Sequence, residues 1–152
     1  MIVGYHYTTF DAWTSIRTEG LKLFPLKPKD LEVFRVWGIK EGIWIYPERQ
    51  EGSKLRGLLA ERTQQYRTPN LVELEVRYEE EKSSLRFILQ QKYPLTTKIE
   101  LYHNGWFDHT GKMWHNQEPF ELLQTPIPTK QIKLIRTFSS VTLLKSDRTC
   151  YF

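Results

Sequence analysis

Residues 71–78 alternate between apolar and charged side chains, and this pattern constrains the fold more than any other stretch of the sequence. The apolar set is Val72, Leu74, Val76 and Tyr78, and the charged set is Glu73, Glu75 and Arg77. A period of two residues is typical of a β-strand with one buried and one solvated face. The sequence therefore predicts a half-buried strand that carries its two carboxylates into water.

The N-terminal segment predicts a strand followed at once by a helix. Residues 1–8 form the strand, and His6 is its inward polar side chain. Thr8 and Asp11 have the spacing of a helix-capping pair, and Gly20 can take the left-handed conformation that ends a helix. His6 is therefore expected beside a helix N-terminus, whose unpaired amides favour polar or anionic ligands. The same pattern also fits a histidine that only packs in the core.

The rest of the chain adds further strands and helices. The predicted strands cover residues 42–47, 98–103 and 131–138. Residues 53–66 predict a helix with a leucine stripe, residues 21–31 an irregular surface loop because of their two prolines, and residues 79–82 an exposed turn. This mixture predicts an α+β domain.

Length and composition limit the possible classes of protein. With 152 residues, of which 39% are hydrophobic, the chain is expected to form one domain over residues 1–152. No apolar run approaches the roughly 20 residues of a membrane helix, and no secretory signal pattern is visible, so we expect a cytoplasmic protein without a membrane partner. The single cysteine, Cys150, cannot form an internal disulfide. A formal charge of +4 favours acidic partners such as nucleic acid.

The run Tyr5-His6-Tyr7-Thr8, with Glu19-Gly20-Leu21 at the end of the following helix, resembles the first motif of the ADP-ribosyltransferases of the His-Tyr-Glu type. The resemblance implies that His6 binds the nicotinamide ribose of NAD. It also implies that the backbone of Tyr7 holds the carboxamide and that Thr8 belongs to the same cofactor site. The implied fold is a split β-sandwich, in which two mostly antiparallel sheets with flanking helices surround an NAD cleft.

Gly42-Ile43-Trp44-Ile45-Tyr46-Pro47 resembles the second motif of that family, a strand whose aromatic ring lies against the nicotinamide. Trp44 stands at the position where the family has tyrosine, and Tyr46 follows two residues later on the same face of the predicted strand. A tryptophan offers the same flat π surface as a tyrosine. The alternative is a core strand whose aromatic side chains only pack.

The third motif of the family is a glutamate at the start of a strand. Glu121, followed by two leucines and a turn that contains Pro126 and Pro128, matches it best, and Glu118 is the alternative. The resemblance implies that this carboxylate binds the ribose 2′-hydroxyl and stabilises the positive charge that develops as the glycosidic bond breaks.

Taken together, the three motifs predict a mono-ADP-ribosyltransferase that moves ADP-ribose from NAD to a protein or a nucleic acid, as small toxins and phage effectors of this family do. One alternative is a non-catalytic nucleic-acid-binding module that uses aromatic and basic side chains. Another is a metal-dependent hydrolase built on His103, His109 and His115, which recur at six-residue steps beside Asp108. The transferase prediction itself includes no metal.

Overall fold

The computed structural model describes residues 1–66, 70–92, 101–102, 105–107, 113–115 and 121–139. Its helices are α1 (Phe10–Glu19), α2 (Pro28–Phe34), α3 (Gly52–Tyr66), α4 (Glu80–Ser83) and α5 (Leu85–Lys92). Its strands are β1 (Ile2–Thr8), β2 (Phe24–Pro25), β3 (Glu41–Ile45), β4 (Asn70–Tyr78), β5 (Leu101–Tyr102), β6 (Gly105–Phe107), β7 (Met113–His115), β8 (Glu121–Leu123) and β9 (Ile132–Ser139). The predicted α+β class is confirmed.

The longest strands form an antiparallel sheet in the order β1-β4-β9. The alternating strand predicted over residues 71–78 is its central member, β4. Its apolar face packs with Ile16 of α1 and with Ile43 and Ile45 of β3 in one core cluster. Its other face packs under α3, where Leu55 lies in a second cluster. Both faces of this sheet are therefore covered.

A second antiparallel sheet has the order β2-β3-β8. The end of β3 also reaches the first sheet, because Tyr46 and Tyr5 exchange two backbone hydrogen bonds of 2.8 Å. A third cluster, which contains Phe34, Trp37 and Leu122, packs around this second sheet. The short strands β5, β6 and β7 form a third antiparallel sheet. None of the helices in the described part of the chain is long and apolar enough to cross a membrane.

The first helix follows β1 as predicted, but its cap lies one residue later. The side chain of Thr9, not Thr8, accepts a hydrogen bond of 3.1 Å from the amide of Ala12. Gly20 ends the helix with φ of 81°, and a Cβ at this position would collide with the carbonyl oxygen of Ile127. This close approach and the positive φ both require glycine. The capping prediction for Thr8 is therefore wrong. The prediction that Gly20 ends the helix is confirmed, although its ψ of −179° lies outside the left-handed helical region.

Two segments predicted as irregular are helical. Helix α2 (Pro28–Phe34) begins inside the loop expected over residues 21–31 and continues past its end. Pro28 stands in the first turn, where proline is tolerated because the amide there has no helical partner. Phe34 at the end of α2 and Leu26 just before it are buried, which anchors the segment. The expected exposed turn at residues 79–82 is largely the short helix α4.

The expectation that the charged face of β4 is solvated is wrong for Glu73. Its side chain is fully buried, whereas Glu75 is half-buried and Arg77 is exposed. Both faces of the sheet are packed at this point, so Glu73 requires partners inside the protein. Those partners form part of the site described below.

Candidate active site

The ring of His6 is held by the backbone of β3. Its Nδ1 lies 2.9 Å from the carbonyl oxygen of Trp44, which is 38 residues away in the sequence. A carbonyl can only accept a hydrogen bond, so Nδ1 carries the proton in this contact. In the neutral ring Nε2 is then the acceptor nitrogen. The predicted first and second motifs are therefore in direct contact.

The hydrogen-bond direction alternates along β1, and this alternation determines which edge of the strand the backbone groups of Tyr7 face. In an antiparallel sheet both backbone groups of a residue point to the same neighbour, and the direction alternates along the strand. The backbone of Tyr5 bonds to Tyr46, so that of His6 points to β4. The backbone N–H and C=O of Tyr7 consequently point to the same side of β1 as those of Tyr5. This is the edge of β1 that does not face β4, two residues past the contact between Tyr5 and Tyr46.

The hydroxyl of Tyr7 belongs to a buried polar network centred on Glu73. Tyr7 donates a hydrogen bond of 2.6 Å to Oε2 of Glu73 and accepts one of 2.7 Å from the amide of Gln50. Arg49 donates two hydrogen bonds to Oε1 of Glu73, and Arg136 donates one to each oxygen. Arg136 also bonds to Glu51. The carboxylate of Glu73 thus ties together β1, β4, β9 and the segment before α3.

The electrostatics of this network favour an ionised Glu73. Burial by itself would raise the pKa of this carboxyl, but the hydrogen bonds from Arg136, Tyr7 and Arg49 outweigh burial and hold the pKa below its ordinary value. Burial also raises the pKa of the Tyr7 hydroxyl, so Tyr7 stays protonated as the donor. Both carboxylate oxygens of Glu73 accept hydrogen bonds. We interpret the network as a structural tie, meaning a set of contacts that holds these strands together.

The two candidate aromatic residues pack in different places. The ring of Trp44 lies 6.0 Å from that of Phe34 and packs on the cluster around β8. The ring of Tyr46 lies 5.6 Å from that of Tyr7, edge to face, and packs under α3. Both side chains are only partly buried. The predicted common surface of Trp44 and Tyr46 is therefore not formed, because β3 ends at Ile45 and Tyr46 joins the other sheet.

Glu121 is the first residue of β8 and is buried, with 4% of its surface exposed. It stands opposite Ile45, the last residue of β3. Ser84 donates a hydrogen bond of 2.6 Å to its Oε2. Its Oε1 lies 3.4 Å from Nε of Arg86 in an ion pair, but within the described ranges it has no hydrogen-bond partner.

Burial raises the pKa of the Glu121 carboxyl, although the hydrogen bond from Ser84 and the charge of Arg86 act in the opposite direction. Glu80 adds to the rise by repulsion. Tyr78 lies close enough for the charge of Glu121 to add to the rise that burial causes in the tyrosine pKa. A buried carboxyl with a perturbed pKa, one oxygen of which lacks a hydrogen-bond donor among the described residues, is a candidate for a functional site.

The register places the side chains of Trp44 and Glu121 on opposite faces of the β3-β8 pair, since Trp44 stands opposite Leu122 and Ile45 stands opposite Glu121. A ligand in contact with both side chains would have to pass around the end of this pair, at Ile45 and Glu121. That end is also where Tyr46 meets β1.

Comparison with known proteins finds no family model, no curated protein and no solved structure that matches the chain. The interpretation of the site therefore depends on its own geometry and chemistry.

Several predicted site residues have side chains outside the described part of the structure. Glu118, His103 and His109 lie outside the described residues, and His115 lies in β7, where only the backbone is described. Among the described residues no group of three or more His, Cys, Asp or Glu side chains could hold a metal ion. The histidine-based metal site stays a prediction.

Several of the basic side chains that contribute to the formal charge of +4 are paired with acids. Lys22 lies 3.5 Å from Glu19, and Lys27 lies 3.7 Å from Glu61. Arg136 is engaged by Glu73 and Glu51. These pairs reduce the local positive charge that a phosphate backbone would meet.

The sequence analysis missed the partners of both buried carboxylates. Ser84 and Arg86 follow the acidic run before α5, and nothing in their spacing points to Glu121, which is 37 residues from Ser84. A serine just before an apolar run is a helix-start signal, and this signal could have identified Ser84 as a cap. Arg49 and Arg136 carry no comparable local signal for Glu73.

Proposed function

We propose that this chain is a mono-ADP-ribosyltransferase, which transfers ADP-ribose from NAD to a macromolecular acceptor, either a protein or a nucleic acid. The observation that carries the proposal is the adjacency of three distant segments. His6 contacts the carbonyl of Trp44, and Ile45 pairs with Glu121. The first of the three segments that resemble the family motifs thus contacts the second, and the second pairs with the third at Glu121.

The fit to NAD depends on Oε1 of Glu121, which is buried without a hydrogen-bond partner among the described residues. Such an atom is costly unless a donor reaches it, and a ribose hydroxyl is a donor of suitable size. An NAD cleft between two sheets, as in the transferase fold, is part of this proposal.

Each residue has a distinct role in the proposed site. His6 would contact a ribose hydroxyl, with its ring oriented by the hydrogen bond from Nδ1 to the carbonyl of Trp44. The outward edge of Tyr7 would bind the carboxamide, which has one donor and one acceptor group, and the adjacent Thr8 would lie at the same end of β1. Trp44 or Tyr46 would cover the nicotinamide ring.

Glu121 would act in its ionised form. The cofactor, when bound, supplies an ADP-ribosyl group with nicotinamide as the leaving group. An ionised Glu121 would hold the ribose hydroxyl and stabilise the positive charge that develops on the sugar. The cost of keeping this carboxylate ionised in a buried position is reduced by Ser84 and Arg86.

The experiment is incubation of the protein with NAD labelled on the adenylate, in the presence of a cell lysate. The label is followed into the protein and nucleic-acid fractions, and free nicotinamide is measured in parallel. Wild type should transfer label, and Glu121→Gln should lose transfer by roughly 100-fold or more, the scale expected when a transition-state charge partner is removed.

The matched control is Glu75→Gln, which removes a half-buried strand carboxylate from β4 without touching Glu121. It should transfer label like wild type. The fraction in which the label is found shows whether the acceptor is a protein or a nucleic acid. Absence of label transfer, nicotinamide release and NAD binding by calorimetry in folded wild type would refute the proposal.

A further inference from the structure

The junction between α4 and α5 surrounds the carboxylate of Glu121. Ser84 lies between the two helices in an extended conformation, and it forms an isolated bridge with Leu123 of β8. The amide of Gln124 donates a 2.7 Å hydrogen bond to the carbonyl of Ser83. These backbone contacts fix the start of α5 against the strand that begins with Glu121.

Ser84 has a defined hydrogen-bond direction. Its Oγ accepts a hydrogen bond of 3.3 Å from the amide of Phe87, which is the arrangement of a helix N-cap. Its own proton is therefore directed to Oε2 of Glu121, at 2.6 Å. Oε2 is therefore occupied by a donor whose oxygen atom is held in place by the cap.

Arg86 lies in the first turn of α5 and approaches the other oxygen. Its Nε is 3.4 Å from Oε1 of Glu121, and a third of its side chain is exposed. The contact supplies positive charge but no aligned hydrogen bond, since Oε1 has no such partner in the described ranges. Oε1 therefore keeps its accepting capacity while its charge is balanced.

In the described part of the chain, the groups that face Glu121 come from four elements. Arg86 and the capped start of α5 favour the ionised carboxylate. Glu80 on α4 opposes it by repulsion, and Tyr78 on β4 lies near it. The fourth element is β3, which presents Ile45, an apolar side chain, in the opposite position. Arg86 is thus the cation among these groups.

We propose that Arg86 and Ser84 are positioning residues for Glu121, which orient its carboxylate, favour its ionised form against the effect of burial, and leave Oε1 to accept a hydrogen bond from a ligand hydroxyl. The identity of that hydroxyl as one of the NAD ribose rests on the function proposed above. The pairing of Arg86 with Glu121 does not depend on it.

The test begins with the carboxylate itself. The protein is labelled with ¹³C-glutamate, and the Cδ resonance of Glu121 is identified by its loss in Glu121→Gln. A pH titration should give a higher pKa for Glu121 in Arg86→Gln than in wild type, with Arg86→Lys between the two. Ser84→Ala should also raise it, because the charged form loses a donor. The control Arg77→Gln removes an exposed arginine of β4 and should leave it unchanged.

The second readout is the pH profile of kcat/KM for NAD. Arg86→Gln should move the acid limb to higher pH, so its loss of activity should be larger at low pH than at high pH. An arginine that only stabilises the fold would lower activity equally across the profile. An unchanged Glu121 pKa in Arg86→Gln, or a loss of activity independent of pH, overturns the inference.

The two proposals can fail separately. If wild type does not bind or turn over NAD while Arg86→Gln still raises the pKa of Glu121, the transferase function and the ribose hydroxyl are refuted and the positioning pair stands. If NAD is turned over but the pKa of Glu121 does not respond to Arg86, only the present inference is refuted.

Discussion

Replacement of Tyr7 by phenylalanine tests whether the buried network around Glu73 holds the sheet together. The substitution removes one oxygen and leaves the ring, so it creates no cavity in the cluster under α3. The lost hydroxyl is a donor to an ionised carboxylate at 2.6 Å and an acceptor for a buried backbone amide at 2.7 Å. Both partners lose a hydrogen bond that water cannot readily replace.

The expected cost follows from those two contacts. Loss of a hydrogen bond to a charged group and exposure of an unsatisfied buried amide each cost about 1–3 kcal/mol. Because the arginine donors to Glu73 remain and reduce the loss, we expect the free energy of unfolding to fall by about 2–4 kcal/mol in total. With a urea m-value of roughly 2 kcal/mol/M for a protein of this size, the unfolding midpoint should fall by about 1–2 M. The m-value should stay unchanged.

Tyr5→Phe is the matched control, because it removes the hydroxyl of a partly buried tyrosine on the same face of β1. Its unfolding free energy should stay within about 0.5 kcal/mol of wild type. If Tyr7→Phe is as stable as Tyr5→Phe, the Glu73 network does not hold β1, and its interpretation as a structural tie is refuted.

Two further predictions concern the same N-terminal sheet. Thr9→Ala should lower the free energy of unfolding by about 1 kcal/mol relative to Thr9→Ser, because serine keeps the cap of α1 and alanine does not, and urea unfolding of the two variants checks this. At pH values above its ordinary pKa of 4.5, Glu73 should stabilise the folded protein, and this contribution should be lost as the pH falls below that value. The reason is that the pKa of Glu73 is lower in the folded state than in the unfolded chain. Unfolding measured from about pH 7 to about pH 3 should therefore show a steeper acid loss in wild type than in Glu73→Gln; equal slopes would contradict the pKa direction.

Periodicity predicted the elements whose side chains alternate or recur regularly, such as β4 and α3. It failed for α2, where two prolines and three lysines suggested a loop. Pro28 in the first helical turn with Asp30 behind it is in fact a helix-start signal. The helix itself is anchored by Phe34, whose burial depends on tertiary contacts that no local pattern contains.

The candidate site was only partly predictable for a similar reason. The position of Glu121 at a strand start and of His6 near a strand end follows from local sequence, and both are found there. The contact of His6 with Trp44 depends on the meeting of two sheets at Tyr5 and Tyr46. Only tertiary structure brings these segments together.

The two buried glutamates show why burial alone does not identify a functional acid. Glu73 and Glu121 are both almost fully buried, yet their pKa values are displaced in opposite directions. Hydrogen-bond donors satisfy both carboxylate oxygens of Glu73, so this residue is ionised and its oxygens are already used within the fold. Glu121 has one occupied oxygen and one that lacks a hydrogen bond within the described residues. Environments that separate two carboxylates in this way also separate their roles, and this difference is the reason why the proposed ligand contact is assigned to Glu121 and not to Glu73.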